Sequence, residues 1–171
     1  MVEGQEKAPT APGAATGKDG RADLQAQAKI LEAYRLLFYG PIHKCTADPC
    51  IVPVTPSIVA IGGQDICIAK LPESLEFSNT SGANPPKTIT WVINPGGKRI
   101  EFHASNGILM VDNAKQQIKP DNARTNPVTY SAKNKHNQND KPTYVPVILY
   151  WAVAGLPPSL CATGDPQIVN N

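Results

Sequence analysis

The sequence predicts an all-β protein, an antiparallel two-sheet β-sandwich preceded by one N-terminal α-helix. Three observations lead to that class. From about residue 45 onward, short β-branched runs alternate with Pro, Gly and Asn clusters. Several of the runs alternate apolar with polar residues, giving each strand one dry and one wet face. No helical stretch separates them, which disfavours the crossovers of a parallel α/β sheet. The composition agrees: 17 Pro and 13 Gly among 171 residues mark a chain with many turns. The net charge of +2 is too small to impose an electrostatic partner. No apolar run approaches the roughly 18 residues of a membrane-spanning helix, and no fixed repeat period is present.

Residues 1–22 hold almost no large apolar side chains, only Pro, Gly, Ala, Thr and charges around Val2. They cannot bury enough surface to offset their ordering entropy, and we expect a disordered arm. The arm lacks the apolar core of a secretory signal peptide. Residues 23–40 follow as an amphipathic helix. Leu24, Ile30, Leu31, Tyr34, Leu37 and Phe38 recur at three- and four-residue spacing among good helix formers. Asp23 is the expected N-cap, and Gly40-Pro41 the stop, with Gly40 as a left-handed C-cap. The apolar stripe either packs on its own domain or docks another subunit. A membrane-surface helix is disfavoured, because Lys29 and Arg35 stand against Glu32 without a basic excess.

The sandwich domain is expected over residues 45–171, with strands at 51–54, 57–61, 65–70, 74–78, 87–93, 98–103, 107–111, 128–132, 144–153 and 167–169. Ile89, Trp91 and Ile93 share one face of their strand, as do Leu75 with Phe77 and Ile100 with Phe102. Asn94-Pro95-Gly96-Gly97 suits a type II turn, and we expect a hairpin there. Asn106-Gly107 marks a second tight turn. The 144–153 run is apolar on both faces and reads as a central strand whose pairing begins at Val147, after Pro146. Trp91 and Trp151 should anchor the core. The polar segment 113–126 has no period and reads as a long connection between sheets.

The run Thr88-Ile-Thr-Trp91-Val-Ile, followed by Phe102, Gly107-Ile, Tyr130, Cys161 and a terminal Asp165-Pro-Gln-Ile168-Val-Asn170, resembles small bacterial β-sandwich proteins of Ig-like or cupredoxin-like type. The resemblance covers about residues 45–171 and implies the fold, with no activity attached. The Cys67, Trp91 and Cys161 spacing is too long for a true immunoglobulin signature.

Cysteines stand at 45, 50, 67 and 161, which permits three pairings. We expect Cys45–Cys50 and Cys67–Cys161. The second closes a loop of about 95 residues, for which the chain-entropy treatment gives roughly 4–5 kcal/mol. If the cysteines are oxidised, a secreted or periplasmic location is favoured. The competing reading is a metal site using His43, Cys45 and Cys50, three soft ligands whose spacing lies at the edge of what structural zinc prefers. Free thiols are the third reading. Asp48-Pro49 and Asp165-Pro166 each follow a cysteine and precede a β-branched pair, as two similar turn starts.

No hydrolase elbow, zinc-protease motif or nucleotide-binding glycine loop occurs. A type 1 copper site would need a His and a Met after the last cysteine, and Cys161 has neither. His43, His103 and His136 are expected at solvated surface. Residues 115–141 carry a local basic excess, but nucleic acid is disfavoured as a partner because a solvated loop explains it. Asn79-Thr80-Ser81 fits a glycosylation acceptor. We therefore expect no cofactor, no catalysis and no membrane span. The expected function is a protein that works through a protein partner or as a homo-oligomer, with the helix as docking element. The alternative is a metal- or small-ligand-binding module at His43, Cys45 and Cys50.

Overall fold

The computed structural model describes residues 18–78, 87–136 and 141–171. The expected arm up to residue 17, the Asn79 acceptor pattern and residues 137–140 of the basic segment lie outside the described residues. The chain divides into two units with the boundary after Tyr34. The described part of the first is helical throughout and belongs to α1, Lys18–Phe38. The helix starts more than a turn before Asp23, so Asp23 lies within it and does not cap it.

The second unit is mostly β. Its strands in chain order are β1 (Tyr39–Gly40), β2 (His43–Cys45), β3 (Cys50–Ile61), β4 (Gln64–Pro72), β5 (Ser74–Phe77), β6 (Thr88–Ile93), β7 (Ile100–Phe102) and β8 (Ile108–Val111). They continue with β9 (Ile118–Asn126), β10 (Thr129–Asn134), β11 (Thr143–Pro146), β12 (Ile148–Tyr150), β13 (Ser159–Leu160), β14 (Ala162–Thr163) and β15 (Gln167–Asn170). The first sheet runs β1-β4-β3-β6-β10-β9, with β14 also on β4. The second runs β2-β5-β15-β11-β8, and a small third one β13-β12-β7.

The arrangement is sandwich-like, but its sheets are mixed, which corrects the expected antiparallel pattern. β3 runs parallel to β6, and β2, β5 and β15 run parallel to one another. Parallel neighbours need a crossover, and here strands serve where a helix usually does. The chain leaves β3, passes through β4 and then β5 of the other sheet, and returns as β6.

Residues from both layers fill one core. Val52 and Val54, Leu71, Ile89, Trp91 and Ile93, and Tyr130 come from the first sheet. Leu75 and Phe77, Tyr144, Ile148, Phe102 and Ile168 come from the others. The period-two alternation read from β5, β6 and β7 is what places these side chains inward. Trp91 is fully buried, with its ring 5.2 Å from that of Tyr144 on the second sheet and 6.4 Å from Tyr130 on the neighbouring strand. Trp151, expected beside it, is only half-buried and carries the Arg99 guanidinium 4.0 Å from its ring centroid.

Several expected elements change. The turn expected at 94–97 forms one residue later, over 95–98, with Lys98 N–H donating to the Pro95 carbonyl at 3.0 Å. Its central residues are Gly96 and Gly97, both at positive φ (56° and 78°), so it is of type I′ character and not type II. It joins no hairpin: β6 pairs with β3 and β10, whereas β7 pairs with β12 in another sheet. The Gly62-Gly63 pair does make a two-residue hairpin, also with both φ positive, between the outer halves of β3 and β4. Gly107 is required for a different reason, because a Cβ there would lie 2.6 Å from the Tyr130 ring.

The expected single strand 144–153 is two strands. Proline at 146 ends β11, and Val147 turns the segment: its N–H donates to Gly107 and its carbonyl accepts from His103. The segment ends earlier too, since Trp151 N–H makes the last ladder bond, to Arg99. The segment read as a connection over 113–126 instead contains β9, an edge strand with irregular register against β10. Lysines and Pro120 on an edge do not signal a strand by periodicity, but they are what an unpaired edge tolerates.

Both expected disulfides are present, Cys45–Cys50 and Cys67–Cys161, the latter 94 residues apart in sequence. Cys161 lies where the chain leaves β13 and crosses to pair with β4 as β14, and β4 carries Cys67. Replacing Cys67 and Cys161 together by Ala is expected to cost about 4–5 kcal/mol, and replacing Cys45 and Cys50 about 2 kcal/mol, on loop length alone. Urea midpoints of the two pairs check this; equal losses would show that loop closure is not what the long bridge contributes.

Tyr144 makes a second test. Its hydroxyl and the Trp91 indole N–H are buried with no hydrogen-bond partner among the described residues. An unsatisfied buried hydroxyl costs about 1–3 kcal/mol, so Tyr144→Phe should be neutral or stabilising. A loss above about 1 kcal/mol in urea unfolding would mean that the hydroxyl is satisfied in solution.

Candidate functional site

The helical face singled out by spacing is composed of exposed side chains. Leu24 is 66%, Ile30 55%, Leu31 68% and Tyr34 59% exposed. Ile30 and Tyr34 are four apart and Leu24 and Leu31 seven apart, so helical geometry sets each pair on one side. The charges beside them are mixed: Arg21, Asp23, Lys29 and Glu32. In the second unit, Leu37 is 47% exposed and Phe38 half-buried.

The helix ends at Phe38 and not at Gly40, because Tyr39 and Gly40 already form β1. They pair in parallel with Leu71 and Pro72, and Glu73 N–H donates to the Gly40 carbonyl at 3.1 Å. Gly40 is therefore extended and not the expected left-handed cap. Arg35 and Glu73 form an exposed ion pair, worth at most about 1 kcal/mol.

Tyr39 is the residue that spacing could not single out. Its hydroxyl donates to the Asp165 carboxylate at 2.6 Å and accepts from the Asp165 N–H at 3.0 Å. Its ring lies so close over Gly164 that a Cβ there would meet it at 2.5 Å. Burial pushes the Tyr39 phenol above its ordinary value, and the neighbouring Asp165 carboxylate adds to the rise. Burial also raises Tyr130, and raises Tyr144 strongly.

The terminal motif that carried the resemblance has a structural use at three positions. Asp165 is held by Tyr39, Ile168 is fully buried, and Asn170 exchanges side-chain amide hydrogen bonds with the buried Asn134 at 2.8 and 3.3 Å. The other Asp-Pro turn is used differently: the Asp48 carboxylate accepts from the Thr88 N–H at 3.1 Å.

His43, Cys45 and Cys50 come together, with their ligand atoms all within 4.8 Å of one another. β2 supplies the first two residues and β3 begins with the third. Both cysteines are 2% exposed, and His43 is half-buried. In the disulfide state neither sulfur is a thiolate, so the group holds no metal in that state. Beside it lies an opening of about 230 Å³ bounded by Thr46, Ala47, Pro49 and Ile51. A second groove, of about 320 Å³, runs between Pro41, Ile42, Pro53, Leu71 and Pro72, with Lys70 at its edge.

The other two histidines have identifiable uses. His103 Nδ1 accepts from the N–H groups of Ser105 and Asn106, which closes the turn before Gly107. His136 is not simply solvated; its ring meets Phe77 edge-on at 5.6 Å. In the basic segment, Lys119 and Lys133 stand directly opposite on β9 and β10, and Lys119 holds the Lys135 ammonium below its ordinary value. Arg124 is bound to Glu101 at 3.0 Å.

No helix among the described residues is long and apolar enough to cross a membrane. In comparison with known proteins, the chain matches no family model and no curated protein.

The Tyr39 clamp predicts an alkaline limit. A phenol whose folded pKa lies above its unfolded value of 10.0 contributes stability that is complete below that value and lost as pH rises through the folded pKa. Stability should be flat to about pH 9 and fall above about pH 10. Tyr39→Phe should lose about 1 kcal/mol at neutral pH and show a shallower alkaline fall. Urea midpoints against pH for both proteins check this, and superimposable alkaline limbs would remove Tyr39 from the linkage.

Proposed function

We propose that this is a non-enzymatic β-sandwich protein, of the Ig-like or cupredoxin-like type that its sequence resembles, and that it acts by assembly with α1 as the docking element. The supporting observation is the exposure of Leu24, Ile30, Leu31 and Tyr34, each more than half open to water. Covering such side chains contributes roughly 1–2 kcal/mol apiece before the cost of association. The body has its own core of buried side chains. The face therefore has a driving force for a partner, which single scattered apolar residues would not supply.

A second copy of the chain is the occupant that the charges fit best. Arg21 and Lys29 alternate with Asp23 and Glu32 along the same stretch, so an antiparallel copy offers each charge an opposite one. An anionic membrane would instead call for a basic excess. The two disulfides fit an oxidising location, secreted or periplasmic.

Light scattering on the full-length protein across a concentration series tests the reading. The native chain should run as a dimer or larger, and Leu31→Asp or Ile30→Asp should run as a monomer with unchanged unfolding. A native chain that stays monomeric throughout the series, or variants that assemble as it does, would end the proposal.

A further inference from the structure

His43 and Cys45 are two apart on β2, so their side chains leave the strand on the same side. The parallel pairing of β2 with β5, His43 against Leu75 and Cys45 against Phe77, fixes that strand independently of the loop beyond it. The loop 46–49 then returns the chain so that Cys50 opens β3 beside them, with the Cys45 and Cys50 Cα atoms 5.2 Å apart. One imidazole and two sulfurs thus sit within 4.8 Å of one another on two strands held elsewhere by the sheets.

We propose that this group is a redox-gated zinc site: closed as a disulfide, and a two-thiolate, one-imidazole site for Zn²⁺ once Cys45–Cys50 is reduced. The gating step is a thiol–disulfide exchange with a dithiol reductant. The dithiol passes two electrons and two protons to the Cys45–Cys50 bond, which breaks to two thiols, and the reductant leaves as its own disulfide. Zinc then takes both sulfurs as thiolates and releases two protons to solvent. Tetrahedral zinc with sulfur bonds of about 2.3 Å needs its ligand atoms about 3.3–3.8 Å apart, a spacing inside the 4.8 Å that already encloses the three.

Three protein ligands leave the fourth position open. The opening of about 230 Å³ beside Thr46, Ala47, Pro49 and Ile51 gives that position access to water or to a small ligand. The second bridge makes the gate compatible with a folded protein. Cys67–Cys161 ties the first sheet to the crossover of the last segment, so the small Cys45–Cys50 loop can open while the long one stays shut.

The test uses the full-length protein and zinc alone, with a chromophoric chelator as competitor. Mild reduction followed by alkylation and mass determination reports which cysteines have opened. The reduced protein should take one zinc and release two protons per metal, with affinity at least about 100-fold above the oxidised form. Cobalt in its place should give a thiolate charge-transfer band. His43→Ala, treated identically, should lose roughly tenfold or more in affinity, and Cys45→Ser should lose the band. The proposal is overturned if the reduced protein binds no zinc, if the oxidised protein binds it equally, or if binding survives both substitutions unchanged. Neither substitution touches α1, so assembly measured on the same samples reports separately on the docking reading.

Discussion

The burial of Trp91 against Tyr144 is the contact on which the rest of the structure depends. Trp91 lies on a central strand of the first sheet, and Tyr144 on a strand of the second, with the rings 5.2 Å apart. Around them Ile89, Ile93, Phe102, Ile148 and Ile168 exclude water from both sides. The two largest buried rings therefore set the spacing of the layers, and the smaller residues fill what remains. Their two polar atoms make no hydrogen bond of good geometry among the described residues, although the Trp91 N–H offsets part of the rise that burial gives the Tyr144 phenol. Packing outweighs that cost, since each ring buries an area worth several hydroxyl penalties.

From that core outward, the last dozen residues close the fold. Residues 159–170 pair in turn with β12, with β4 and with β11 and β5, so one short segment visits both layers. Such a path is held by few hydrogen bonds at each stop. It is made secure at three points of different chemistry: the Cys67–Cys161 bond, the Tyr39–Asp165 hydrogen bonds and the Asn134–Asn170 amide pair. Each links a residue of this segment to one far away in sequence; the hydrogen bonds hold the folded chain, whereas the disulfide alone also constrains the unfolded one, across 94 residues.

Legibility in the sequence followed the range of the interaction. Alternation within β5, β6 and β7 is a local property of the pleat, and it gave the buried faces correctly, from Leu75 to Phe102. Cysteine spacing indicated both bridges, because one short and one long loop suit four cysteines so placed. Parallel pairing of β3 with β6 was invisible, since it depends on what other strands do between them. β9 was missed because Lys119 and Pro120 on an edge follow no core-facing period. Tyr39 lies in the segment read as helix but outside its apolar stripe; only the fold brings Gly164 and Asp165 under it. His43, Cys45 and Cys50 were legible as a group because they are local, and the strands then held them together.

The short stretch from Tyr39 to Cys50 occupies a position out of proportion to its length. β1 joins the first sheet through β4, and β2 joins the second through β5, so a few residues step from one layer to the other. Tyr39 holds the last segment at one end of this step, and Cys45 bonds to the first residue of β3 at the other. The stretch contributes little to the core beyond its two cysteines. Those two cysteines are buried and bonded to each other, while His43 beside them is half-buried. The same reasoning separates the two cysteine pairs. The pair that closes 94 residues is tied to the architecture, whereas the pair that closes five constrains little of the unfolded chain and can be opened at low cost to the fold.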